Sequence, residues 1–227
     1  MSVLGNKDCV LTCFYPTLKE RQRKERDSYP INVGLRIHRS LSWLNRAEQC
    51  ENDNDAEFIF LWIAFNAAYA DEFSSREFTA TGTFRQFISK LDDLDKGGQL
   101  NDLVWSEFSS GIRVLLDNRF VFQGFWDFHS QKISEAEWRD RFSKAKKSAN
   151  WALANRDTPA LLVIIFSRLY TLRNQLIHGG ATWNSQVNRD QVRDCANFLR
   201  KLVPLVIEIM MDNTAVLWGD PSYPVVE

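Results

Sequence analysis

The stretch from Thr158 to Gly180, TPALLVIIFSRLYTLRNQLIHGG, limits what this chain can fold into more than any other segment. Thr158 suits a helix N-cap, Pro159 suits the first turn, and Gly179-Gly180 supplies the left-handed turn that stops a helix. At about 1.5 Å per residue such a helix is roughly 30 Å long, the width of a small domain. Leu161, Leu162, Ile164, Ile165, Leu169, Leu172, Leu176 and Ile177 cover most of its circumference. A helix apolar on several sides needs neighbours on several sides. The segment therefore predicts a central helix in an all-α bundle.

Its last turn has a different character. Arg173, Asn174, Gln175 and His178 set a guanidinium, two amides and an imidazole within one and a half turns. Asn174 and His178 share a face, and Arg173, about 140° away, has a side chain long enough to swing toward it. Two readings fit. The cations can complement the negative helix end and cap its carbonyls, or the group can form a small polar site.

The pattern Arg173-Asn174-Gln175-Leu176-Ile177-His178 resembles the signature of the HEPN superfamily, an Arg, a polar residue and a His near the end of a core helix. FIFLWIAFNAAYAD, Phe58 to Asp71, is similar to the aromatic second helix of Apea-like HEPN proteins. The resemblance covers residues 31–213. It implies a HEPN-type helical bundle with additional packing helices. It further implies metal-independent RNA cleavage by a homodimer with a composite site, in which Arg173 and His178 are catalytic and no cofactor takes part. In HEPN toxins paired with a nucleotidyltransferase antitoxin, a Tyr stands two residues after the motif His. Gly180 stands there in this chain. The implied role is stress response or phage defence, with an inhibitor or antitoxin as a further partner.

The chemistry suits the residues. RNA carries its own nucleophile, the 2′-hydroxyl, so cleavage needs a base, an acid and a cation for the charge on phosphorus. His178 fits proton transfer, Arg173 grips phosphate oxygens at every relevant pH, and Asn174 can orient either partner. The expected product is a 2′,3′-cyclic phosphate. Asn66, the polar residue in the apolar segment Phe58 to Tyr69, has two readings: it satisfies a local hydrogen bond, or it supports the site at His178.

The remaining candidates are RNA contacts. Ser134 to Arg156 reads as a helix with Arg139, Arg141, Lys144, Lys146 and Lys147 on its outer faces, either solvated or contacting phosphate. Lys144 and Lys147 are the binding candidates here. GGATWNSQVN has the composition of an exposed loop, in which Trp183 can stack a base or pack back on the body. His38 and His129 lack an Arg upstream at the motif spacing and receive no role.

Along the rest of the chain, helical spacing recurs from Ile31 to Cys50, with Arg36, Arg39 and Arg46 assigned to the outer face. It recurs again from Phe84 to Leu91, around Leu100 to Leu116, and from Arg189 to Met211 with Arg193 and Arg200 toward solvent. Residues 1–30 read as a charged arm or extension, 31–213 as one helical domain, and 214–227 as an irregular tail. With 44% apolar residues, 8 Trp and 16 Phe, one substantial core can form. A net charge of -1 means that any nucleic-acid contact must come from a local basic patch. Four cysteines are few for a disulfide framework. Cys9 and Cys13 lack the second pair that would complete a zinc site, so no metal is assigned. The N-terminus does not read as a secretory signal, and the apolar runs fall short of the roughly 20 residues of a bilayer span. The expectation is a soluble, cytoplasmic protein.

Overall fold

The computed structural model describes residues 13–69, 82–107, 109–186, 188–216, 218–221 and 223. The fold is all-α. Its helices are α1 (Tyr15–Glu25), α2 (Ile31–Glu48), α3 (Asn54–Tyr69), α4 (Gly82–Leu94), α5 (Gln99–Asp102), α6 (Ser109–Asp117), α7 (Gln123–His129), α8 (Glu135–Asn155), α9 (Thr158–Ile177) and α10 (Arg189–Asp212). The helix expected around Leu100 to Leu116 is present as α5, a π-helical turn at Leu103–Glu107 and α6.

α9 starts one residue earlier than its composition suggests. Asp157 is the N-cap, its carboxylate accepting from the Ala160 amide at 2.9 Å. Thr158 lies in the first turn, where its hydroxyl accepts from the Trp105 indole at 2.9 Å and the Asn101 amide at 3.3 Å. Leu161, Leu162, Ile165, Phe166, Leu169 and Leu172 are fully buried. α9 is the one described helix long and apolar enough in composition to cross a bilayer, and half of that stretch is buried inside the protein.

α3 is the other helix that is apolar all round, and it packs between α2 and α10 with its aromatic residues turned onto α9. Phe65 meets Phe166 at 4.3 Å between ring centroids, and Trp62 meets Phe166 at 6.1 Å and Tyr170 at 6.2 Å. Phe84 of α4 closes the group against Phe166 at 5.2 Å. Lower numbers on α3 meet higher numbers on α9, so the two helices run antiparallel. The start of α3 thus lies beside the end of α9.

Of the arginines assigned to the outside, Arg36 is buried and Arg200 is half-buried. Arg36 is 1% exposed and donates to the carbonyls of Ala68 at 3.0 Å and Asp220 at 2.6 Å. The irregular tail, with Trp218 buried against Phe87, is therefore strapped to the body through Arg36. Arg200 forms a two-pronged ion pair with the buried carboxylate of Glu57. Spacing gives the angular position of a residue on its helix, but it does not say which partner covers that angle. α1 is docked as well. Leu18 is buried, and the Glu48 carboxylate accepts from the amides of Phe14 at 2.7 Å and Tyr15 at 3.1 Å. Cys9 and the apolar strip before Cys13 lie outside the described residues.

Leu162→Ala and Ile165→Ala are each expected to lower the unfolding free energy by about 2–5 kcal/mol, since both side chains are completely enclosed. Chemical denaturation followed by circular dichroism measures it, and a loss below about 1 kcal/mol in both variants would contradict the central position of α9.

Candidate functional site

The end of α9 is closed by its own backbone. The Gly180 amide donates to the Gln175 carbonyl at 2.7 Å, the Gly179 amide to Leu176 at 3.3 Å, and the His178 amide to Asn174 at 3.0 Å. Gly179 has φ +69°, the left-handed conformation that this crossed pair of bonds requires. A Cβ on Gly180 would sit 3.2 Å from the Gln175 carbonyl oxygen, so a bulky residue there would press on the closure. The carbonyls of Asn174, Gln175 and Leu176, which side chains could otherwise cap, are thus satisfied by amides.

Arg173 is half-buried, and its Nη1 donates to the Asn174 side-chain oxygen at 2.9 Å. The contact has a directional effect. Arg173 lies on the α3 side of the helix, in line with Phe166 and Tyr170, while Asn174 lies near the face of His178. Bonding to Asn174 draws the guanidinium round the helix toward that face. Its Nε is buried with no partner among the described residues. His178 is exposed, and its side chain has no hydrogen bond among the described residues.

Gln175 ties this helix end to the turn at Arg119–Val121, donating to the Phe120 carbonyl at 2.6 Å. Arg168, seven residues earlier on the same face, lies over the Phe122 ring at 4.6 Å and the Phe142 ring at 5.7 Å. It is 2% exposed and has no ion pair among the described residues. Burial pushes its pKa down to about 10, which leaves it cationic at neutral pH. The spacing in the sequence contained no sign of this residue's role, because Arg168 sits in the most apolar run and its aromatic neighbours are distant in the chain.

Asn66 is half-buried on α3, next to Phe65 in the chain. Its Oδ1 is buried without a partner among the described residues. Trp183 is 74% exposed, but its indole donates to Asp53 at 3.2 Å. Asp55 accepts from the Asn184 amide at 3.0 Å and from Arg189 at 2.6 Å. The loop segment is therefore fastened to the start of α3, with Trp183 exposed but its indole tied back to Asp53.

On α8, the basic residues are largely paired. Arg139 meets Glu135, Arg141 meets Glu137, Lys144 meets Asp140 at 2.7 Å, and Lys146 meets Asp117 at 2.7 Å. Lys147 is exposed with no ion pair among the described residues. Neither Arg173 nor His178 lines the 310 Å³ cavity between α6 and α10 or the 450 Å³ cleft between α6 and α8. Among the described residues there is no group of three or more His, Cys, Asp or Glu side chains arranged to hold a metal ion.

No family model, curated protein or solved structure matches the chain.

Gly179→Ala is expected to cost about 1 kcal/mol of stability, the penalty of forcing a Cβ into a left-handed residue. His178→Ala should change stability by less than about 0.5 kcal/mol, because the side chain is exposed and closes no carbonyl. Thermal denaturation of the two variants distinguishes this arrangement from side-chain capping, in which His178→Ala would be the more damaging change.

Proposed function

We propose that the protein is a metal-independent endoribonuclease with Arg173 and His178 as its catalytic residues. The supporting observation is the division of labour at the end of α9. Gly179 and Gly180 close the helix carbonyls, and Asn174 turns the Arg173 guanidinium toward the face of an uncommitted His178. In the proposed reaction His178 takes the proton of the RNA 2′-hydroxyl as its oxygen attacks the adjacent phosphorus. Arg173 neutralises the charge that builds on the non-bridging oxygens, and the 5′-oxygen departs with a proton. The products are a 2′,3′-cyclic phosphate and a 5′-hydroxyl.

One imidazole cannot stand on both sides of an in-line displacement. A homodimer solves this by placing a second His178 and a second Arg173 across a twofold axis. The functional setting that goes with this reading is a cytoplasmic ribonuclease of stress response or phage defence, held in check by an inhibitor or antitoxin. A second reading, a non-catalytic HEPN-like protein that binds RNA, nucleotide or a protein, draws on one observation. Arg173 and His178 line neither of the two cavities beside α6.

The deciding experiment is incubation of single-stranded RNA with the protein in EDTA. Wild type should cleave it, leaving cyclic phosphate ends, and His178→Ala should not. A substrate with hydrogen in place of the 2′-hydroxyl at the cleavage position should survive. Cleavage by His178→Ala at the wild-type rate would refute the assignment, and intact RNA with wild type would favour the binding reading.

A covalently tethered dimer tests the composite site. If one chain carries Arg173→Ala and His178→Ala together, activity should fall far below half of the wild-type tethered dimer. Retention of about half would mean two independent sites.

A further inference from the structure

The turn at residues 119–122 presents an aromatic side chain to solvent on an unusually well fixed backbone. The Phe120 amide donates to Asn118 Oδ1 at 2.9 Å, and its carbonyl accepts from the Trp126 indole at 2.7 Å and from Gln175 at 2.6 Å. Both backbone polar groups of that residue are engaged, while the residue remains 45% exposed beside Trp126 at 37%. From below, the turn is held by Arg168 against Phe122. Arg168 and Gln175 stand two turns apart on one face of α9, so this face holds the turn at two points. Gln175 and His178 are three residues apart and adjoin on the helix surface. Phe120 is therefore fixed next to the end of α9 that bears His178.

The charge here differs from that on α8. Arg119 lies over the rings of Phe120 at 5.0 Å and Phe125 at 5.4 Å, and it has no ion pair among the described residues. Arg168 and Arg173 likewise lack a carboxylate partner among the described residues. On α8, by contrast, Arg139, Arg141, Lys144 and Lys146 are each neutralised by an acid. At the 119–122 turn and the adjoining face of α9, the exposed Arg119 and the half-buried Arg173 are therefore available to an anion. Exposed ring faces with unmatched guanidinium groups offer what a single-stranded nucleic acid needs, a π surface for a base and a cation for the neighbouring phosphate.

We infer that Phe120, Trp126 and Arg119 form a platform for single-stranded RNA, stacking a base next to the His178 end of α9 while Arg119 contacts its phosphate. This deepens the ribonuclease reading and rests on it for the identity of the nucleic acid. It moves the main RNA contact from Lys144 and Lys147 on α8 to the 119–126 segment. Phe120 and Arg119 are positioning residues, since they hold the strand and take no part in proton transfer.

The test uses the full chain and a short single-stranded oligonucleotide with 2′-O-methyl sugars, which cannot be cleaved by 2′-hydroxyl attack. Fluorescence anisotropy gives Kd. Phe120→Ala should raise Kd by roughly 5- to 150-fold, the range for losing one base–aromatic stack. Phe120→Trp should restore binding, and Arg119→Gln should weaken it and flatten its dependence on salt. Lys144→Gln/Lys147→Gln should change Kd by less than about 2-fold, well under the loss of a stack. Thermal denaturation should find all these variants folded. With cleavable RNA, Phe120→Ala should raise KM and leave kcat nearly unchanged.

Unchanged Kd in Phe120→Ala and Arg119→Gln would overturn the platform, as would greater loss in the α8 double variant or no binding by wild type. So would a Phe120→Ala protein that dissociates from dimer to monomer yet binds the oligonucleotide normally, which would make the patch a protein interface. The two proposals can fail separately. Binding through Phe120 without cleavage of natural RNA would sink the reaction and keep the platform. Cleavage by wild type with an unaltered KM in Phe120→Ala would do the reverse.

Discussion

The contact between Phe65 and Phe166, 4.3 Å apart, is the constraint on which the rest of the structure depends. Both residues belong to helices with no polar face broad enough for solvent, and two such helices cannot both be covered by each other. Each must be wrapped on its remaining sides. α2 and α10 wrap α3, while α4, α6 and α8 lie against α9. The antiparallel pairing then brings the first turn of α3 to the last turn of α9. The location of the polar site at one end of the core follows from that pairing.

The central helix, its apolar partner and the all-α class were legible because periodicity and capping are local properties. The end of α9 was legible too, since Gly179-Gly180 announces a left-handed stop whatever surrounds it. Residues whose role depends on distant chain were not. Arg36 and Arg200 look outward on their own helices, but backbone carbonyls of α3 and the tail bury Arg36 and Glu57 pairs with Arg200. Thr158 looks like a cap until Trp105 and Asn101 claim its hydroxyl. For the candidate site, the bond between Arg173 and Asn174 lies within one turn and could be anticipated. The attachment of Gln175 to Phe120, 55 residues away, could not.

Charge on this molecule has to be read by pairing, because composition conceals it. The basic stretch of α8 looks like the place for an anion, yet its i,i+4 acids consume most of that charge in the folded state. Arg168 is the opposite case. It is buried in an apolar run without a carboxylate, and aromatic faces stand in for a counter-ion. A cation held in this way keeps more of its field available to its surroundings than one already matched to an acid.

The fastening of the α9–α10 connection by Asp53 and Asp55 has a consequence for how the protein opens. Asp53 also caps α3, accepting from the Ala56 amide at 3.0 Å, so the same short acidic segment secures the beginning of one helix and the segment leaving another. Fraying of the last turn of α9 would pull on Asn184 and Trp183, and through them on the first turn of α3. The ends of three helices, α3, α9 and α10, are thereby tied together, and their amide protons are expected to exchange with solvent as one group.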